Sequence, residues 1–213
     1  MPDETTTAAY WDRVAEESEF TFAVNYALLQ EHLASDATVV DVGCGYGRVT
    51  SQLQAHGFSN VIGFDPSPSM IERGRREHLD LDLRTWLGGE LPLAADSVEG
   101  VLMVGVLSCV IDDAARRELM DEVSRVLAPG GLLYISDAPI QSTPEYKERY
   151  TDALEEKFGQ GALKIGDGGV VQHLSVPNFR ELTATFTELH WNRAGGESLE
   201  GNKLDIIEYL GRL

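Results

Sequence analysis

A chain of 213 residues, 43% hydrophobic and 24% charged, has the size and balance of one globular domain with a full core. Its 35 acidic against 17 basic residues leave a formal charge of −18, which disfavours nucleic acid as a partner, because that binding rests on cations that neutralise phosphates. No apolar run reaches the ~18 residues of a membrane span, and the start MPDETTTAAYW lacks the basic and apolar segments of a signal peptide. The acidity reads as a solvated surface or as an attraction for a cationic ligand. Cys44 and Cys109 form no disulfide framework and match no zinc spacing, so no metal site is expected and the chain is placed in the cytoplasm.

Along the chain, helical spacing comes first, at Trp11, Val14 and Ala15 and then on a broad apolar face from Phe20 to Leu33. Strand-like runs follow at 38–43, 61–65, 81–86, 97–104 and 131–136, separated by helical patterns at 46–56, 67–78 and 113–127. Runs such as GVLMVGV are apolar without alternation, which predicts strands buried on both faces. The last of these helices stops at RVLAPGG, where Pro129 ends it and two glycines turn the chain. Strand–helix alternation of this kind predicts an α/β fold, a parallel sheet with helices on both faces. Beyond it a helix is expected at 143–158, then a glycine-rich loop, GQGALKIGDGG, then a short helix in SVPNFRELTATF, with serine as cap and proline in its first turn. Runs at 186–193 and 203–210 are joined by a short connection, so they are expected to pair antiparallel.

Behind the first strand stands VVDVGCGYG, with glycines at 43, 45 and 47. Glycine permits positive φ and close approach of backbone to a ligand. The turn also feeds a helix, whose N-terminus favours negative charge such as a carboxylate. A dinucleotide fingerprint would read G-x-G-x-x-G, but here the spacing is G-x-G-x-G and position 48 is Arg. Asp41, two residues before the first glycine, suits an ammonium group better than a pyrophosphate. Asp65 ends the next strand in VIGFDPSPSMI, where an acid can accept hydrogen bonds from both hydroxyls of a ribose. Ser67 after it is a helix cap.

From about Tyr10 to Asp137 the chain resembles the class I S-adenosylmethionine-dependent methyltransferases of the small-molecule type. The likeness rests on VVDVGCGYG and GFDPSPSMI as the first two motifs, GELPLAADSVEGVLMVGVLSCV into the fourth strand, VLAPGGLLYISD around the fifth, and YWDRVAE in the N-terminal helix. It implies a doubly wound, mostly parallel seven-stranded sheet, last strand antiparallel, and S-adenosyl-L-methionine as cofactor. It also implies roles. Gly43, Gly45 and Gly47, with Cys44 between them, would wrap the methionine part and Asp41 its ammonium group. Asp65 would hold the ribose, next to Pro66, and Met70 would pack near the adenine, whose edge faces Trp86, Leu87 and Gly88. Val104 and Gly105 would close over the methionine end, with Tyr10 as a lid. The chain departs from the family pattern at Leu87, where an acid is usual, so the adenine contact shifts to backbone or to Glu90. It departs again at Val98-Glu99, where Phe-Asp is usual.

A methyl sulfonium is already activated, so the protein must align nucleophile, methyl carbon and sulfur and exclude water; a base is needed only if the nucleophile loses a proton. His173, in VVQHLSVPNF, is the first candidate for that base, against the alternatives of a helix cap or an exposed loop histidine. Tyr146 and Tyr150, four apart on one helical face, either line the acceptor pocket or pack on the sheet. His190 and Trp191 alternate along a strand, so at most one points inward, and Cys109 reads as a small buried apolar residue. The expected function is methyl transfer to an oxygen or nitrogen of a small-molecule acceptor, by a monomer or homodimer with no nucleic-acid or membrane partner. The alternatives are a regulatory protein that binds the cofactor without transfer and, less favoured by the glycine spacing, a nicotinamide-dependent oxidoreductase. One domain, 1–213, is expected, with cap helices in 1–36 and an acceptor cover in 138–180 whose glycines at 159, 161, 166, 168 and 169 allow movement.

Overall fold

The computed structural model describes residues 7–198 and 200–213, so the first six residues of the expected N-terminal cap lie outside it. After α1 (Thr7–Arg13) and α2 (Tyr26–His32), strands and helices alternate: β1 (Thr38–Val42), α3 (Arg48–Ala55), β2 (Asn60–Asp65), α4 (Pro68–Glu77), β3 (Asp82–Thr85), β4 (Val98–Val104), α5 (Asp113–Val126) and β5 (Leu127–Asp137). Next come α6 (Pro144–Arg149), α7 (Asp152–Phe158), a hairpin of β6 (Ala162–Ile165) and β7 (Gly169–Gln172), α8 (Val176–Leu182), β8 (Thr187–Glu197) and β9 (Lys203–Arg212).

Seven strands form one sheet in the order β3-β2-β1-β4-β5-β9-β8. The first five are parallel, with Val39 opposite both Val61 and Gly100, and β9 runs antiparallel between β5 and β8. This is the expected doubly wound sheet with an antiparallel last strand. Period-2 alternation explains its apolar runs. Val40 and Val42 of β1 pack with Val101, Met103, Val123 and Phe179, whereas Val39 packs on the other face with Leu29, Leu53 and Leu102. In α5, capped by the Asp112 side chain on the Ala115 amide, Leu119, Met120, Val123 and Val126 recur at helical spacing and are all buried. Burial of each such side chain stabilises the fold by about 1.5–3 kcal/mol.

The sheet winds one way from β1 to β2 and the other way to β4, so a crevice opens beyond the carboxyl ends of β1 and β4. The sequence expectations fail mainly in what covers it. Of the broad apolar face at 20–33 only Tyr26–His32 is helical; the chain before it has no regular structure and lays Phe20 and Phe22 beside Gly45 and Gly105. The helix expected at 143–158 breaks, because Tyr150 and Thr151 are extended. That break aims the Tyr150 hydroxyl at the Gln141 amide, 3.0 Å away. The expected glycine-rich loop contains the β6–β7 hairpin. Gly161 turns the chain into it with a φ of +83°, and a Cβ there would stand 2.2 Å from the His173 carbonyl oxygen. Strand β5 begins at Leu127, directly after α5, rather than at 131.

Polar clasps hold the cover to the sheet. Asp12 of α1 accepts from the Ser67 hydroxyl and the Ser69 amide at the start of α4, at 2.8 and 2.9 Å. The largely buried Arg73 of α4 donates to the Ala15 and Ser18 carbonyls. Arg13 reaches the Asp167 carbonyl in the hairpin turn at 2.7 Å, and Glu200 accepts from the Gly166 amide at 2.9 Å. Buried Arg116 of α5 donates to the Leu107 carbonyl and to Gln172 of β7.

Candidate cofactor and acceptor site

The glycine turn is a backbone structure. Gly43 and Gly45 have φ of +71° and +56°; an added Cβ at the first would stand 2.5 Å from Val106 Cγ2, and at the second 2.5 Å from Phe20 Cε2. The amides of Gly43 and Cys44 donate to the Phe64 carbonyl, tying the turn to β2. Asp65 closes it from the other side, Oδ2 accepting from the Gly45 amide at 2.8 Å and Oδ1 from the Ser67 amide at 2.9 Å. A carboxylate has about four lone-pair sites, so acceptor capacity remains on both oxygens. Burial pushes the Asp65 carboxyl up to about 6, against the pull of those two amides.

Beyond the turn lies one cavity of about 980 Å³, at the upper end for a small-molecule site. Its wall includes Gly43, Gly45, Asp65, Pro66, Met70, Trp86, Leu87, Gly88, Val104 and Gly105, which the structure therefore brings together. Trp86 Nε1 donates to the Glu90 carbonyl at 3.2 Å, closing the 86–90 turn at one end. Leu87 is on the rim, 80% exposed. At the opposite end the wall passes Val104 and Gly105 and continues into a pocket with His173 and Tyr146.

Five of the expected residues are not on this wall. Asp41 is 1% exposed, and its Oδ2 accepts from the Thr50 hydroxyl at 2.7 Å, so its carboxylate serves the turn from behind. Burial pushes it up to about 7, with the Thr50 hydroxyl and the Arg48 charge opposing. Cys44 faces Ile71 and Leu83 in a small buried cluster, because alternate residues of the turn point away from the cavity. Gly47 is the cap of α3 and lies against Leu81 and Leu83. Tyr10 packs on Gly166 and Gly169 of the hairpin; its neighbour Trp11, a third of a helical turn on, is the residue that reaches the wall. Tyr150 stands behind His173, its hydroxyl 2.8 Å from Nδ1.

Sequence reasoning missed several wall residues. Phe20, Phe22 and Arg48 flank the glycine turn, and the Arg48 guanidinium donates to the Phe22 carbonyl at 2.7 Å. Arg149, Leu163, Ile165 and Val171 come from the cover, and their only signal was their place in it, while Leu204 comes from β9 of the main sheet. Cys109 is on the wall, where burial pushes its thiol up to about 12, so it is an apolar surface rather than a nucleophile. Of the strand pair, Trp191 packs on Phe179 and Tyr209 while His190 pairs with Glu208, which satisfies the alternation. Among the described residues no group of side chains is arranged to hold a metal ion, and no helix is long and apolar enough to cross a membrane.

The sheet order β3-β2-β1-β4-β5-β9-β8 with β9 antiparallel, together with a glycine turn at the switch point and an acid at the end of β2, is the arrangement of the S-adenosylmethionine-dependent methyltransferase fold. Residues 39–131 match the family model described as a methyltransferase domain. The chain is 33% identical over 121 residues to human methyltransferase-like protein 27, covering 56% of this chain and 48% of that one. It is 30% identical over 162 residues to the trans-aconitate 2-methyltransferase of Azoarcus, covering 73% and 58%. It thus spans about half the length of these relatives. A solved S-adenosylmethionine-dependent methyltransferase from Methanosarcina mazei superposes with a TM-score of 0.82 at 20% identity, over 89% of this chain and 98% of that one. Residues 39–131 thus match the methyltransferase family, and the chain shares the fold of the solved S-adenosylmethionine-dependent methyltransferase; the cofactor that this likeness implies is S-adenosylmethionine.

The residues present fit that cofactor. The two turn glycines leave a cradle that side chains would fill, and Asp65 keeps lone pairs for hydroxyl donors. The cavity also continues past this end into the cover.

Proposed function

We propose that the protein transfers a methyl group from S-adenosylmethionine to an oxygen or nitrogen of a small-molecule acceptor. The observation that carries this reading is continuity: one cavity runs from the glycine turn and Asp65 to a second, mostly apolar pocket under the cover. The similarity to a trans-aconitate 2-methyltransferase, which by its name acts on a small molecule, supports the acceptor class.

When bound, the cofactor supplies an activated methyl group on a sulfonium. Asp65 accepts from the ribose hydroxyls, Met70 and Trp86 flank the adenine, and Gly43, Gly45 and Gly105 let the backbone close on the methionine part. Arg48, with no carboxylate paired to it within the described residues, supplies positive charge for the methionine carboxylate. Asp41 acts indirectly, by bracing the turn through Thr50. The cover, built from α1, the chain before α2 and much of 138–180, keeps water out and holds the acceptor in line. Alignment of that kind is worth about 7–11 kcal/mol. The segments belong to one domain, with 138–180 as the acceptor cover.

The test is transfer of labelled methyl to a panel of small hydroxy acids, carboxylates, phenols and amines. Label in a small-molecule product, together with S-adenosylhomocysteine release, is the expected result. Tight cofactor binding with no transfer to any member would instead favour a regulatory role.

A further inference from the structure

The pocket beyond the cofactor end has apolar walls, formed by Cys109, Ala138, Leu163, Val171 and Leu204, and a polar end formed by Tyr146, Arg149 and His173. The hydrogen bonds behind that end decide where the protons are. The Gln141 amide donates to the Tyr150 oxygen at 3.0 Å, and the same oxygen lies 2.8 Å from His173 Nδ1. A phenol has one proton, and with the amide occupying a lone pair the Tyr150 O–H has Nδ1 as its acceptor. The neutral imidazole then carries its proton on Nε2. The opposite tautomer would leave the phenol proton with no acceptor among the described residues. Nε2 itself makes no hydrogen bond within them, and the ring lines the cavity. Burial pushes His173 down to about 4, with the Arg149 charge adding to the effect, so the ring is neutral at physiological pH.

Tyr146 supplies a second donor. It is 1% exposed and on the cavity wall, its ring centre is 5.6 Å from that of His173, and its hydroxyl, with Ser198 beside it, makes no well-formed hydrogen bond. Burial pushes its phenol up, outweighing a smaller pull from Ser198, so it keeps its proton. The Arg149 guanidinium lies over the Tyr146 ring at 5.2 Å. The nearby acid, Glu200, accepts from Arg149 at 2.6 Å and from the Gly166 amide at 2.9 Å, so its charge is paired with that guanidinium. The polar end therefore offers two neutral donors, the His173 Nε2–H and the Tyr146 hydroxyl, beside the Arg149–Glu200 ion pair.

We infer that this end of the cavity anchors a carboxylate of a largely apolar acceptor, received by the Nε2–H of His173 and the hydroxyl of Tyr146 beside Arg149. The inference rests on the methyltransferase reading for the place of the acceptor. His173 is then a specificity-determining donor rather than a base, and Tyr150 is a positioning residue that fixes its tautomer.

Two measurements test this. In the full chain without ligand, ¹⁵N-resolved imidazole spectra, with His173→Asn for assignment, should show His173 protonated on Nε2; Tyr150→Phe should shift it toward the other tautomer. A ring protonated on Nδ1 in the wild type overturns the inference. In the chain saturated with S-adenosylhomocysteine, calorimetry with octanoate, octanamide and octylamine, and with the matching phenylpropyl series, should show the carboxylates binding about tenfold tighter or more. Tyr146→Phe and His173→Asn should each erase most of that margin. Equal binding, a preference for the amines or no carboxylate binding overturns the inference, whereas failure of S-adenosylhomocysteine itself to bind would overturn the methyltransferase reading instead.

Discussion

At the cofactor end of the cavity the wall is largely backbone, with Gly43, Gly45 and Gly105 in the left-handed region and a buried carboxylate holding the amides of Gly45 and Ser67. At the acceptor end the wall is made of side chains, brought by Phe22, Cys109, Tyr146, Leu163, His173 and Leu204 from segments far apart in the chain. The glycine-turn part of that backbone cradle is built locally, within the 25 residues from Asp41 to Asp65, and admits no Cβ at Gly43 or Gly45 without collision. A side-chain pocket needs the whole cover to assemble, but any one side chain in it can change without disturbing the sheet. Substitutions at the two ends should therefore separate cofactor binding from acceptor binding.

The sharpest separation is expected at Asp65. Asp65→Ala would remove the two proposed ribose contacts and frees the Gly45 amide, and should weaken S-adenosylhomocysteine binding about 100-fold or more, since hydrogen bonds to charged groups contribute about 1.5–3 kcal/mol each. Comparable binding by the variant in calorimetry would break the assignment of the ribose site. Gly45→Ala comes next. Its Cβ collides with Phe20 and its φ is unfavourable, so a loss of about 1–3 kcal/mol in stability is expected in denaturant unfolding, with cofactor affinity down by about tenfold. Tyr146→Phe, at the other end, should leave cofactor affinity within about twofold.

The same contrast explains what could be read before the structure. The strands and the motifs at Asp41–Gly47 and Asp65–Met70 were legible because β-branched runs and a glycine turn are local signals. Asp41 shows the limit even there: its spacing suits ammonium binding, yet Thr50, nine residues on, turns its carboxylate behind the loop. In the cover the signals were misleading. Tyr146 and Tyr150 do stay on one helical turn, with ring centres 6.4 Å apart, but only Tyr146 reaches the wall, while Tyr150, where the helix ends, stands behind His173. The hairpin strands are four residues each and flanked by glycines, too short for alternation to outweigh the loop composition. His173 itself was visible, but its tautomer depends on a backbone amide at 141 and a phenol at 150 that no sequence pattern connects.

Acid titration should act on the two ends with opposite sign, because neutral His173, held down to about 4 by burial, destabilises the fold as pH falls from its ordinary 6.5 toward 4, whereas the acids of the cofactor end stabilise it. Asp65 and Asp41 are held up by burial at about 6 and about 7, against an ordinary 3.8. Carboxyls raised in the folded state stabilise it fully below the ordinary value, and that contribution is lost as pH rises to about 7. The unliganded protein should therefore lose this part of its stability between about pH 4 and 7. The proposed ribose contacts would use the ionised Asp65, so S-adenosylhomocysteine affinity should rise by about tenfold between pH 5 and 7.5. Thermal melts with and without S-adenosylhomocysteine follow both trends, and a ligand-induced shift that shrinks as pH rises over this range would contradict them.

The smallest effect is expected in the clasp. Arg149→Met removes a partly exposed ion pair with Glu200 and should change stability by no more than about 1 kcal/mol in urea unfolding, with cofactor affinity unchanged. A larger loss, or a loss of cofactor binding, would mean that the two ends are coupled through the cover.

The most direct measurement is calorimetric titration of S-adenosylhomocysteine into the full chain, with NAD titrated in parallel. One site per chain for S-adenosylhomocysteine, none for NAD, and loss of that site in Asp65→Ala is the expected result. Preferential binding of NAD, or S-adenosylhomocysteine binding that survives Asp65→Ala, would contradict it.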